Sequence, residues 1–295
     1  MDYTIISTYL DYCKSHKCLS SHTLRAYKND LTQFYNSGQD CVLSYIELLT
    51  NSTIKTNTLR RRIASLKIFY SYLHSQKLIT DNPFNNSRFQ FRTERTLPKT
   101  IPYDILKNLF AYLKQNVNSS KTNYQRQKAE RNLLIVSLLL STGIRISELC
   151  HIKLKNINLV NRTLHILGKG KKERIIFLGD EITILLLKTY LANYCNQLDD
   201  YLFPGKVSHK PLTEQSVRLV LKTVREQMNL TTTITPHMFR HSFATMLLDN
   251  DVDIRYIQQI LGHSSIAITQ IYTHVSQSKQ KEILSTCNPI TSIHT

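Results

Sequence analysis

At 295 residues the chain is long for one domain and comfortable for two, and its 41% apolar content excludes wholesale disorder. Thirty-eight lysines and arginines against 21 acids give a net charge of +17, which points to a polyanion, with a basic ribosome- or membrane-associated protein as the bland alternative. The longest apolar run, Leu133 to Leu140, is too short to cross a bilayer, and Met1-Asp2-Tyr3 opens no secretory signal.

The excess charge is spread along the chain. Residues 1–95 hold 13 basic and 7 acidic side chains, and residues 96–295 hold 25 and 14. Both halves can therefore meet the same polyanion, as in a clamp. Six cysteines without a CxxC pair fit reduced thiols in the cytoplasm. Cys13, His16, Cys18 and His22 match no zinc-finger spacing and are expected to be ordinary helix residues, so no metal is expected.

In chain order, Ile5, Tyr9 and Tyr12 fall at helical spacing. Ser20-Ser21 offers a helix start, and Leu24, Tyr27, Leu31 and Phe34 form the next apolar stripe. Leu59 to Leu73 predicts an amphipathic helix with Ile63, Leu66, Phe69, Tyr70 and Leu73 on its apolar face. Arg60, Arg61 and Arg62 sit opposite, as a solvated face or as a grip on a phosphate backbone. Asp81 to Pro102 breaks the pattern and reads as a linker. Helices are then predicted at roughly 103–115, 126–141, 181–195 and 213–228. Leu164 to Leu178 is expected to form a β-hairpin with the basic tip Gly168-Lys-Gly-Lys-Lys.

Three segments carry chemistry. Arg145 follows the turn at Gly143, with Glu148 three residues on. The pair is either a surface ion pair or an arginine fork for phosphate, oriented by a carboxylate. Thr235 is a good N-cap and Pro236 suits the first helical position, so His237 and Arg240 share a face near a helix N-terminus. His237 and His241 have the spacing of two metal ligands but lack the glutamate of a zinc-protease helix. Gly262 reads as a helix end, His263 lies in the junction after it, and Tyr272 follows on a short helix. A phosphodiester broken without metal needs cations and donors for its non-bridging oxygens, a nucleophile, and an acid for the leaving oxygen. Two arginines, histidine, tyrosine and a hairpin lysine meet that need together.

These boxes resemble the tyrosine recombinase (phage integrase) family. Ser141 to Leu149 resembles the family's first arginine box, giving Arg145 the role of first catalytic arginine and Glu148 that of its acidic helper. Leu167 to Arg174 resembles the β2–β3 turn with its catalytic lysine at Lys169, although Lys171 and Lys172 crowd the same turn. Pro236 to Thr245 resembles the HxxR box, giving His237 and Arg240. Leu261 to Ile266 matches the second histidine box at His263, and Gln270 to His274 places the nucleophile at Tyr272. Asn158 stands where an acid is common, and Asn250-Asp251 replaces a glycine-containing turn.

The resemblance implies a mainly α fold with a small β-sheet or hairpin in the catalytic domain, forming a two-domain DNA clamp. Residues 1–84 would be a helical, SAM-like core-binding domain and 85–102 a linker. Residues 103–276 would be the α+β catalytic domain, and 277–295 a tail whose Ile283 and Leu284 could dock on a neighbouring protomer. Nothing precedes the core-binding part, which is similar to the compact Xer-type and mobile-element recombinases. The implied activity is site-specific strand transfer through a 3′-phosphotyrosyl intermediate and a Holliday junction, in integration, excision or resolution, without metal, nucleotide or other cofactor. The implied partners are duplex DNA with inverted-repeat core sites and a homotetramer on it, or a heterotetramer with a second recombinase, with no membrane. Arg60, Arg61, Arg62, Lys171 and Lys172 would contact DNA. Three other readings compete: a catalytically inactive DNA-bridging protein, a type IB topoisomerase, and a metal-dependent nuclease built on His237 and His241.

Overall fold

The computed structural model describes residues 3–39, 41–85, 89, 99–168, 173–194, 200–205, 207, 209–262 and 277–294. The chain divides into two compact units, Met1–Thr96 and Leu97–Thr295.

The first unit holds α1 (Tyr3–Ser15), α2 (Ser21–Asn36), α3 (Val42–Thr50) and α4 (Thr56–Ser75). Ser20 starts α2 as expected, its hydroxyl accepting from the Thr23 amide at 3.3 Å. Ile6 and Tyr9 from α1, Leu31 and Phe34 from α2, and Leu66 and Phe69 from α4 are buried in one core. The helix α3 adds Val42, Tyr45, Ile46 and Leu49 to it and was not predicted.

The arginine triplet at the start of α4 does not act as one group. Arg61 reaches the fully buried carboxylate of Asp30, whose Oδ2 also accepts from Ser65 Oγ at 2.8 Å. Arg62 is half-buried and its charge acts on Tyr45, while Arg60 is exposed. Arg61 thus links α2 to α4 although, like Arg60, it is exposed. Asp30→Ala removes the carboxylate that holds Arg61 and leaves Ser65 only its 3.1 Å contact to the Arg61 carbonyl, so it should cost about 1–3 kcal/mol. Urea unfolding followed by tyrosine fluorescence measures this, and an unchanged midpoint would show that the pair is only decorative.

The second unit is built around α6 (Asn123–Thr142), in which every residue from Leu133 to Thr142 is buried. A helix apolar on all sides must be covered on all sides. Its neighbours are α5 (Tyr103–Asn118), the five-residue α7 (Ile146–Cys150), α8 (Glu181–Tyr194) and α10 (Pro236–Asp249). Between α7 and α8 lie β1 (Ile157–Asn158), β2 (Thr163–Leu167) and β3 (Glu173–Phe177), antiparallel in that order. The register runs from Thr163 opposite Phe177 to Leu167 opposite Glu173, which is the predicted hairpin. Its tip, 169–172, lies outside the described residues. The remaining helices are α9 (Glu214–Gln227), α11 (Ile254–Leu261), α12 (Gln277–Thr286) and α13 (Pro289–His294).

In this single chain the C-terminal tail is seated on its own unit. Ile283 and Leu284, expected to face a neighbouring protomer, are buried with Phe243, Leu247, Val252 and Ile257. Asn288 Nδ2 donates to the Ser141 carbonyl at 2.9 Å, and Ile290 is fully buried in the main core. The tail backbone runs so close to Gly179 that a Cβ there would lie 1.9 Å from the Leu284 carbonyl oxygen.

Candidate functional site

The site begins where α6 stops. Gly143 takes the left-handed conformation, φ +60°, and a Cβ on it would lie 2.6 Å from Phe243 Cδ1 and 2.7 Å from Leu261 Cδ2. Both facts demand glycine. The close approach draws together the C-terminal end of α6, the flank of α10 and the end of α11. The chain then turns and enters α7 with Arg145 as its N-cap residue.

Arg240 stands on the buried side of α10. Thr235 caps that helix by accepting from the Met238 amide at 3.3 Å, and Pro236 takes the first turn. Only 7% exposed, the Arg240 guanidinium donates to the carbonyls of Gly143 and Leu261, each at 2.7 Å. It thereby ties the ends of α6 and α11, where carbonyls point outward without helical partners. Its pKa is pushed down to about 10, first by burial, then by the charge of Arg145 and Arg174, with Glu148 opposing.

Glu148 is the only carboxylate the described geometry places on this cluster. Its Oε2 accepts from the Arg145 amide at 2.8 Å, and its Oε1 accepts from Arg145 Nη1 at 3.1 Å. Arg174, on β3, adds a two-pronged contact: Nη1 to Oε1 and Nη2 to Oε2, both at 2.8 Å. Burial alone would raise the Glu148 pKa. The Arg174 fork, the Arg145 amide and the two cationic charges outweigh it, so the carboxyl sits below its ordinary range. Arg145 completes the ring with a long contact, 3.4 Å, from Nη2 to the Gly262 carbonyl.

Among the described residues, three guanidiniums lie within range of one carboxylate's charge, an excess of two positive charges. A phosphodiester carries one negative charge, and the five-coordinate state formed when an anionic oxygen attacks it carries two. The cluster is therefore matched to the transition state more closely than to the ground state.

His237 is exposed in the first turn of α10, and His241 lies one turn further on. Partial burial, then His237 and Arg240, hold the His241 imidazole below its usual pKa and favour the neutral ring. Gly262 closes α11 in the left-handed conformation, φ +63°. His263 and Tyr272 follow it in the chain but lie outside the described residues, as do Lys169, Lys171 and Lys172. Arg145, Glu148, Arg240 and His237 thus come from two distant stretches, and the first three share one network.

Sequence reasoning missed Arg174. Its signal was the period of two along β3: Arg174 and Ile176 point the same way, and Ile176 is buried against the core. A charged residue on the inward side of a strand asks for a buried partner. Among the described residues no group of three or more His, Cys, Asp or Glu side chains gathers as for a metal, and no helix is long and apolar enough to cross a membrane.

Residues 107–279 match the phage integrase family, and residues 6–77 match the phage integrase N-terminal SAM-like domain. The chain is 46% identical to a tyrosine recombinase of Agathobacter rectalis, over 99% of this chain and 98% of that protein. It is 33% identical to the tyrosine recombinase XerD of Staphylococcus saprophyticus, over 97% and 99%. Among solved structures, XerH bound to a palindromic difH substrate in a post-cleavage complex superposes with a TM-score of 0.67 at 22% identity, covering 95% of this chain and 84% of that one. A lambda integrase tetramer bound to a Holliday junction gives 0.66 at 18%, covering 90% and 75%. At such identities the structures speak for the fold, which is mainly helical with a small antiparallel sheet.

Proposed function

The chain belongs to the phage integrase family and is a site-specific tyrosine recombinase of Xer type, and from that premise we propose that Tyr272 cuts and rejoins duplex DNA over a cradle made by Arg145 and Arg240. The observation that carries this reading is the convergence of both guanidiniums on the carbonyls of Gly143, Leu261 and Gly262, immediately before His263. The excess positive charge there awaits a phosphate.

In this scheme the Tyr272 hydroxyl releases its proton to solvent as its oxygen bonds to phosphorus, and the bond to the 5′ oxygen breaks. The 5′-hydroxyl leaves with a proton from Lys169, with Lys171 and Lys172 as neighbours in the same turn. His237 and His263 donate to the non-bridging oxygens alongside the arginines. The phosphotyrosyl ester keeps the linkage activated, so attack by the 5′-hydroxyl of a second duplex rejoins it without ATP. Four protomers on two inverted-repeat sites would make the two exchanges in turn, through a Holliday junction. The DNA complexes of XerH and lambda integrase, one on a palindromic substrate and the other a tetramer on a junction, support this part of the reading.

The test is capture of SDS-stable protein–DNA adducts, in EDTA, from cells expressing the chain. Adducts on one recurrent sequence are expected, and that sequence is the recombination site. A chain that binds DNA tightly yet leaves no adduct would overturn the proposal.

A further inference from the structure

We propose that Arg174 is a positioning residue of the phosphate cradle, holding Glu148 so that Glu148 holds Arg145 without consuming it. This rests on the function proposed above. Glu148 offers two oxygens, and Arg174 engages both of them at 2.8 Å, whereas the Arg145 side chain reaches only one of them, at 3.1 Å. A planar guanidinium and a carboxylate pair best through two parallel bonds. Without Arg174, the buried carboxylate would be free to take that paired arrangement with Arg145. The Arg145 fork would then face the protein and not the DNA. With Arg174 in place, Arg145 gives Glu148 one side-chain nitrogen, and its side chain remains 34% exposed. Division of labour between the two arginines keeps one of them open.

Position supports the same assignment. Arg174 is less exposed than Arg145, 18% against 34%, so it is the inner of the two. It also lies across the end of α11: a Cβ on Gly262 would stand 3.2 Å from Arg174 Cδ and 3.3 Å from Nε. Glycine at 262 leaves room for the inner arginine beside the residue whose carbonyl Arg145 touches. Its partner across the sheet is the buried Ile166, so the base of the hairpin fixes where it stands.

The experiment compares wild type, Arg174→Lys, Arg174→Met and Arg145→Ala. Single-turnover cleavage is measured on a duplex carrying the site recovered in the adducts. Each duplex has either the normal phosphate or a methylphosphonate at the scissile position. A methylphosphonate lacks the negative charge that an arginine must neutralise, so a variant deficient only in that neutralisation recovers on it. Both Arg174 variants should cleave the normal duplex about 10- to 100-fold more slowly. Their deficit should shrink on methylphosphonate, as for Arg145→Ala, and DNA affinity should persist. Arg174→Lys keeps charge but not the fork, and should fail nearly as badly as Arg174→Met. Equal deficits on both duplexes, with a lowered melting temperature, would overturn the proposal in favour of a purely structural role. Full rescue by Arg174→Lys would overturn it too, since charge and not the fork would then matter. If Arg145→Ala cleaves like wild type, the cradle reading itself fails. If Arg145→Ala is slow and the Arg174 variants are fast, only the present inference fails.

Discussion

Tyr272→Phe is expected to abolish the SDS-stable adduct and to lower strand cleavage by a factor on the order of 10⁴ or more, with DNA affinity and melting temperature unchanged. The substitution removes one oxygen and nothing else. If that oxygen is the atom that bonds to phosphorus, no covalent intermediate can form and the energy of the cut bond has nowhere to reside. Water is a poor substitute, because an untethered nucleophile must lose its freedom of motion to come into line with the leaving oxygen. The same variant separates the competing chemistries. A metal-dependent nuclease using His237 and His241 would keep cutting after Tyr272→Phe and would stop in EDTA. A strand-relaxing topoisomerase would lose its adduct in the variant but would show no preferred site in the wild type. Residual adduct in Tyr272→Phe, mapped by peptide sequencing to another residue, would remove Tyr272 from the reaction.

Local periodicity made most of the helices legible. The apolar run Leu133 to Leu140 became the central α6, and the stripe Ile63, Leu66, Phe69 and Leu73 became the buried face of α4. The hairpin was readable because two strand-like runs flank a glycine-containing basic turn. The helix α3 escaped, although Val42, Tyr45, Ile46 and Leu49 have helical spacing. Cys41 precedes it without a side-chain cap, so the usual start signal is missing.

The site was legible in its residue types and not in its network. Arg240 is held by two main-chain carbonyls, of Gly143, 97 residues before it, and of Leu261, 21 residues after it. Carbonyls carry no side-chain identity, so nothing in the sequence marks them as acceptors. Glu148 looked like a helper to Arg145 alone because the two are three residues apart. Its tighter partner, Arg174, is 26 residues away and comes to it only through the sheet. The arginine triplet on α4 showed the opposite failure. Three like side chains in a row suggested one role, yet a buried Asp30 that no local pattern pairs with Arg61 takes one of them into the fold.

Glu148 should be the most expensive side chain in the cradle to lose. Glu148→Ala would leave Arg145, Arg174 and Arg240 facing one another with no counter-charge, and breaking such a buried set costs about 3–5 kcal/mol. Glu148→Gln keeps the shape and fails less severely, which allows a pH test. The folded carboxyl titrates below its ordinary range, so the unfolded chain binds its proton first as pH falls. The stabilisation is therefore complete above the unfolded value, about 4.3, and drains away as pH drops through the lower folded value. Wild type should lose stability across that acidic window, whereas Glu148→Gln should show a flatter profile there. Urea titrations from pH 3 to 7 measure both, and parallel curves would show that the carboxylate contributes no charge to the fold. DNA supplies the converse check. With the carboxylate gone, the excess positive charge rises from two to three, so a phosphate should bind at least as tightly while Arg145 loses its alignment. Glu148→Gln is thus expected to hold or gain DNA affinity while cleavage falls, because charge attracts the phosphate but only a fixed geometry turns it over.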